Sequence, residues 1–453
     1  MKDLTQGPIV RHIVSMAVPI ALGMIFQTLY YLVDLYFVAH LGDAAIAGVG
    51  AAGNIMFIVM GLTQVLGVGT VALISHAVGR KDQPEANLIF NQSIVLSGVC
   101  GLITLVGGYA ITHTYMAAVA ADEQALAAGQ TYLYWFLPGM ALQFALVSMG
   151  SALRGTGIVQ PTMVVQVVTV VLNIVLAPIL IAGWGTGYAM GVAGAGLAST
   201  IALVAAVVTL SLYFIRLEKY VSFHPEQWRP RMHAWKRMLA VGLPSGGEFL
   251  LLFVFMGVIY WCIRDFGATA QAGFGIGSRV MQSIFLPVMA IAFAAGPIAG
   301  QNFGARHPER VRETFRKAVL ISVVIMAILT LLAHVSPELL VGGFTDDPAV
   351  RTVAATFLAI TSWNFVSQGI IFTCSSMFQG LGDTRPALIS TGSRVLTFAL
   401  PAIWMSSQPW FEIHHLWYLS VATVTFQAVL SWLLLRSQFK RRLATISPVA
   451  VPA

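Results

Sequence analysis

The sequence predicts an all-α membrane protein: about twelve transmembrane helices in two six-helix lobes related by a parallel internal repeat. One feature of composition and two of pattern predict it. Of 453 residues, 57% are hydrophobic and only 9% are charged, whereas soluble domains carry about 25% charged residues. Apolar runs of about 20 residues, the length that crosses a bilayer, recur along nearly the whole chain. A single offset of 225 residues also relates separate stretches of the first half to the second.

By apolar length the helices fall at roughly 12–39, 45–77, 88–112, 127–152, 161–182 and 190–216, then 238–264, 269–302, 315–336, 349–378, 386–407 and 413–436. The second and eighth runs exceed one crossing and must tilt, kink or project. The opening residues MKDLTQGPIVRH lead into a run too long for a signal-peptide core, and no small-residue cleavage site follows it. The first run is therefore expected to stay as a span.

A net charge of +7 raises nucleic acid as a partner, but the placement of the charges excludes it: they sit in short clusters between apolar runs. Lys2, Arg11, Arg80, Lys81, Arg154, the 216–237 linker, 306–317, Arg385 and 436–442 fall on one side. Asp43, Asp122, Glu123, Asp265, Glu338, Asp346, Asp347 and Glu412 fall on the other, and only Arg264 and Arg351 oppose the trend. The positive-inside rule then places both termini and the linker in the cytoplasm.

The repeat is gap-free where it is visible. Pro19 maps to Pro244, LGDAAIAGVG (41–50) to FGATAQAGFG (266–275), and Gly79 to Gly304. SALRGTGIVQPTM (151–163) maps to SMFQGLGDTRPAL (376–388), with Ser, Gly, Gly and Pro at identical spacing. One offset for all of these marks a duplication. Six spans per half is an even number, so both halves enter the membrane in the same sense, and a central site between the lobes is expected. The expected divisions are 1–216 (first lobe), 217–237 (linker), 238–436 (second lobe) and 437–453 (basic tail).

One acid stands out. Asp34 lies within the first apolar run, fifteen residues after Pro19. A charged Asp at the centre of a span costs roughly 2.5–3.5 kcal/mol on insertion scales, so such groups face a bundle interior or a water-filled path. Removed from water, a carboxylate can exchange its charge for a proton, and it can equally pair with Na+ or an organic cation. The alternative is a structural Asp satisfied by neighbouring hydroxyls. Pro19 removes one backbone hydrogen bond and permits a kink, making it a candidate hinge. Gln27, Tyr30 and Tyr31 are candidate pocket residues, although ordinary packing would account equally well for the two tyrosines.

The chain resembles the multidrug and toxic compound extrusion (MATE) transporters of the prokaryotic type. The resemblance rests on P-x14-D followed by LGD, on RGTG and QGLGDTRP after helices 4 and 10, and on LNIVLAP in helix 5. It implies a two-lobed bundle that exports drug-like organic cations against a proton or sodium gradient, with protonation of Asp34 coupled to bending of the first helix. It also implies a partner for Asp34 in Asn173, which matches the family's helix 5 Asn. Relatives often carry a second Asp one turn later, where this chain has Ala177. That departure weakens a two-carboxylate sodium site and favours protons.

Glu248 is the second acid within a span, four residues after Pro244, and its repeat partner is Gly23. The helix 7 acid of sodium-coupled relatives falls nearer Leu252, so only a general role as a second-lobe cation or drug carboxylate carries over. Pairing with Arg279 or Arg394 is the structural alternative, Arg279 being the deeper of the two and Arg394 able to snorkel. Asp383, in QGLGDTRP, is a candidate ion ligand by resemblance, but beside Arg385 at a helix boundary it reads better as a loop-structuring residue.

Other signals fail. GVGAAG (48–53) fits a dinucleotide fingerprint but lies inside an apolar helix, and its repeat copy GFGIGS supports small-residue packing instead. There is no Walker A sequence and no HExxH, and Cys100, Cys262 and Cys374 lie singly in apolar runs. The expectation is a secondary antiporter of the bacterial inner membrane, not an enzyme, working as a monomer in the lipid bilayer on small drug-like substrates. It needs no cofactor beyond H+ or Na+ as coupling ion. A lipid-intermediate flippase of related fold is the alternative, and it would need a cavity rich in Arg and Lys.

Overall fold

The computed structural model describes residues 1–120 and 122–446. Residues 447–453 of the expected basic tail lie outside the described residues. The first six long helices are α1 (Ile9–Ala39), α2 (Asp43–Gly79), α3 (Gln83–Val119), α4 (Glu123–Gly155), α5 (Gln160–Ala182) and α6 (Val192–Arg216). After the linker come α7 (Met232–Ile263), α8 (Ala268–Gly304), α9 (Pro308–Val335), a short α10 (Pro337–Val341), α11 (Pro348–Thr361), α12 (Asn364–Leu381), α13 (Arg385–Ser406) and α14 (Ile413–Gln438). Among the described residues, 11 helices are long and apolar enough to span a membrane, or 12 with α11 and α12 counted as one span. The all-α membrane class is borne out.

The expected tenth helix, 349–378, is corrected by the structure. It is two helices, α11 and α12, meeting at 61°. No proline announces the break. It is held from α9 instead, where the Thr330 hydroxyl donates to the Ser362 carbonyl (3.1 Å) and His334 Nδ1 lies 3.1 Å from Ser362 Oγ. The Ser362 carbonyl also accepts from Phe365 N (3.1 Å), so the start of α12 and the side chain from α9 satisfy it together. The repeat-related position in α4 is Pro138, and there the helix runs on unbroken.

The duplication is written in the backbone turns as well as in the residues. Gly42 and Gly267 both have positive φ (103° and 87°), as do Gly157 and Gly382 (81° and 75°). Lys81 and Arg306, also 225 apart, share a φ of 60° in the left-handed region that side chains seldom enter. Asp122 and Asp347 cap the helices that follow them, accepting from Ala125 N (2.7 Å) and Ala349 N (2.9 Å).

The chain divides into two compact units. One unit comprises Met1–Asp3 and Pro19–Gly242, the other Leu4–Val18 together with the chain from Leu243 onward. Helix α1 therefore changes unit at the bond before Pro19, and the chain changes back just before Pro244. In the first unit α4 packs against α2, α3 and α6, and α5 against α6. In the second, α8 and α12 pack together, α11 and α9 flank α8, and α14 packs on α12.

The start of α7 belongs to the first unit through glycines. A Cβ at Gly242 would lie 1.9 Å from the Val65 carbonyl oxygen, and one at Gly69 would lie 2.4 Å from the Met238 carbonyl. The linker belongs there too, because three amide side chains of α3 hold it. Asn87 accepts from Ser222 N and donates to the Tyr220 carbonyl; Asn91 accepts from His224 N and Trp228 Nε1; Gln92 donates to the Gln227 and Arg229 carbonyls and accepts from Arg231 N. This strap is a fixed part of the first unit.

Candidate functional site

Asp34 sits towards the C-terminal end of α1 and is only 9% exposed. Its Oδ1 is buried and finds no hydrogen-bond partner. Tyr30, one turn earlier, and Tyr132 of α4 lie within electrostatic reach of it, and Ser199 of α6 lies beside both tyrosines. Neither the Ser199 hydroxyl nor that of Tyr30 closes a hydrogen bond. Asn173 of α5 is fully buried, with both amide atoms unpartnered.

A buried polar group normally finds a partner, and each one left bare costs about 1–3 kcal/mol. Asp34, Tyr30 and Ser199, each with such an atom and linked to one another or through Tyr132, make a place that can take a proton or a small cation. Tyr31 is 38% exposed, with its ring 5.6 Å from that of Tyr30; it too lies within electrostatic reach of Asp34, and Gln27 lies beside it. Among the described residues no group of three or more His, Cys, Asp or Glu is placed to hold a metal ion.

The same positions in the second unit are apolar. Asp34, Tyr30, Tyr132, Asn173 and Ser199 correspond at the 225 offset to Ile259, Phe255, Phe357, Phe398 and Val424. Ile259, Phe255, Phe357 and Phe398 form one buried cluster with Trp417, and Val424 is fully buried. The duplicated scaffold holds a polar site in one copy and an oily core in the other. Tyr132 and Ser199 were missed from sequence, and this polar-to-apolar contrast between repeat partners is the signal that marks them.

Glu248 is held by hydroxyls. Ser375 donates to its Oε2 (3.3 Å) and Thr391 to its Oε1 (3.2 Å), while Gln427 donates to the Thr391 hydroxyl (3.2 Å). The expected alternative, an ion pair with Arg279 or Arg394, is not formed. Arg279 is exposed on α8, and Arg394 stands 4.2 Å from the centre of the Phe255 ring. Asp383 pairs with Arg442 (3.2 Å) and accepts from Gln438, and its carboxylate also accepts from Arg385 N. Among the described residues, none of Glu248, Arg279 and Asp383 is a hydrogen-bond or ion-pair partner of another. Pro19 lies inside an unbroken α1, at the change of unit.

Comparison with known proteins agrees with this duplicated plan. The MatE family profile matches twice, over residues 19–179 and 244–405, each match beginning on one of the repeat-related prolines. A multidrug export protein, MepA, of Staphylococcus aureus strain MRSA252 is 26% identical over 393 residues, covering 85% of this chain and 84% of its own. Among solved structures, a transporter of the MOP superfamily from Pyrococcus furiosus, described as having a binding pocket of reversed polarity, superposes with a TM-score of 0.90. It is 24% identical and covers 97% of this chain and 98% of its own. The outward-facing form of a multidrug resistance MATE family transporter also gives 0.90 at 24% identity, over 98% and 99% of the two chains. With the fold shared and both halves matched, this chain belongs to the MatE family of multi-pass membrane transporters.

Proposed function

We propose that this protein exports amphipathic, often cationic organic compounds in exchange for protons, with Asp34 as the coupling carboxylate. The observation that carries the reading is a buried acid whose Oδ1 lacks a partner, in a unit where Asn173, Tyr30 and Ser199 also hold unpartnered polar atoms. Proton uptake cancels the Asp34 charge within the bilayer, and loss of the proton restores a negative group that can be exchanged for a cation. A single carboxylate suits a proton. The second acid that would help to strip and hold Na+ is replaced by Ala177, which is fully buried.

MepA, by its name, exports several drugs, and this supports small-molecule substrates here. The charge asymmetry of the loops supports an inner-membrane protein with both termini cytoplasmic, and the complete duplicated pair within one chain supports a monomer. The test is ethidium transport in proteoliposomes with proton and sodium gradients imposed separately. A proton gradient alone is expected to drive it. Transport driven by sodium alone, or by neither ion, would overturn the reading.

A further inference from the structure

Arg394 of α13 is a cation within a membrane-spanning helix that the fold leaves without a counter-ion. Among the described residues no carboxylate lies within 4.0 Å of it and none accepts from its guanidinium; its Nε is buried and bare. It stacks on the face of Phe255, 4.2 Å away, and Phe255 in turn packs on Phe398 (4.7 Å between centroids). The nearest acid on the facing helix, Glu248, is already taken by Ser375 and Thr391.

The guanidinium is not retreating to the near end of its helix. The Thr391–Glu248 hydrogen bond fixes the register of α13 against α7, which runs in the same sense. From that level Phe255 is seven residues further on and Arg394 only three, about 10 Å and about 4.5 Å along their helices. The side chain therefore reaches deeper along the span, toward the aromatic cluster. A charge held there without a counter-ion is costly and marks a functional position.

Stacking uses the face of a guanidinium and leaves its in-plane N–H edge free, and that edge matches a carboxylate in two-pronged fashion. Duplication sharpens the contrast. At the 225 offset Arg394 corresponds to Thr169 and Phe255 to Tyr30, so a base replaces a neutral residue in the copy that has lost its Asp34. The geometry points to an anion subsite in the second unit, formed by Arg394 and Phe255, that takes the carboxylate of an aromatic substrate carrying one. Arg394 is only partly buried, so a ligand can reach it. This assigns a residue to the drug export proposed above and rests on that reading.

Two dyes with the same ring system separate the outcomes: rhodamine B, which bears a free carboxylate, and its ethyl ester, which does not. Binding to the purified full chain in detergent is followed by fluorescence anisotropy for the wild type, Arg394→Gln and Arg394→Lys. Arg394→Gln should weaken rhodamine B by about tenfold or more and change the ester by less than about twofold. Arg394→Lys, which keeps the charge and loses the fork, should fall between. Equal effects on both dyes, or none, would overturn the subsite. So would a wild type that binds the ester and not rhodamine B, or neither dye, whereas drug export itself stands or falls by the proton-gradient assay. Loss of rhodamine B binding on adding phosphatidylglycerol would reassign Arg394 to a lipid headgroup and also overturn the proposal.

Discussion

Thr391 of α13 donates to Glu248 of α7 at 3.2 Å, and the residues 225 earlier, Gln166 and Gly23, are also in contact. A Cβ at Gly23 would lie 1.9 Å from Gln166 Oε1. The same pair of helix positions meets in both units, with the long polar side chain on the first helix in one and on the second in the other. Replacing Thr391 by Val should leave Glu248 with Ser375 alone and Gln427 without its acceptor. Loss of stability by about 1–3 kcal/mol is expected, read as a lower thermal midpoint in detergent. An unchanged midpoint would show that the carboxyl relaxes onto other donors.

Asp34→Asn should reduce efflux of ethidium from cells to the level of cells lacking the protein, with unchanged amounts in the membrane. The amide is nearly isosteric but cannot carry the switchable charge. Asn173→Ala should impair transport less, because it removes a neutral group and leaves the carboxylate. Normal efflux by Asp34→Asn would sink the coupling role.

Two glycines offer a controlled comparison. At Gly242 an added methyl meets the Val65 carbonyl oxygen and carbon at 1.9 and 2.7 Å, and the backbone cannot swing aside. At Gly23 it meets only the end of the Gln166 side chain. Gly242→Ala should therefore cost about 1–3 kcal/mol as overpacking, and Gly23→Ala much less. The order of the two thermal midpoints checks this, and a reversal would mean that the start of α7 moves freely on α2.

The linker strap makes a kinetic prediction. Asn91 is fully buried and bonds Ser222, His224 and Trp228. Asn91→Ala should speed amide hydrogen exchange across 220–231 while exchange in α4 stays slow, because only the strap loses its acceptors. If exchange in the linker is already fast in the wild type, the strap is not a fixed part of the unit.

Much of the fold was legible because its causes are local or periodic. Apolar length set the spans, and the 225 offset exposed the duplication that recurs in the turns at Gly42 and Gly267 and at Lys81 and Arg306. The break at Ser362 was not legible, because it depends on Thr330 and His334 of another helix rather than on a proline in its own. In the site, Asp34 stood out as a lone charge in an apolar run. Tyr132 and Ser199 did not, since a tyrosine or serine in a span is ordinary until its neighbours are known.

The sequence by itself determined the membrane class, the duplication and the acid that one copy keeps and the other lacks, since hydropathy, spacing and charge are properties of the chain. Only the tertiary structure decided the partners. It gave Glu248 to hydroxyls rather than to an arginine, left Arg394 against Phe255, and set the changes of unit beside the prolines of α1 and α7. Those outcomes depend on which side chains of distant helices meet at one depth, and no local pattern encodes that.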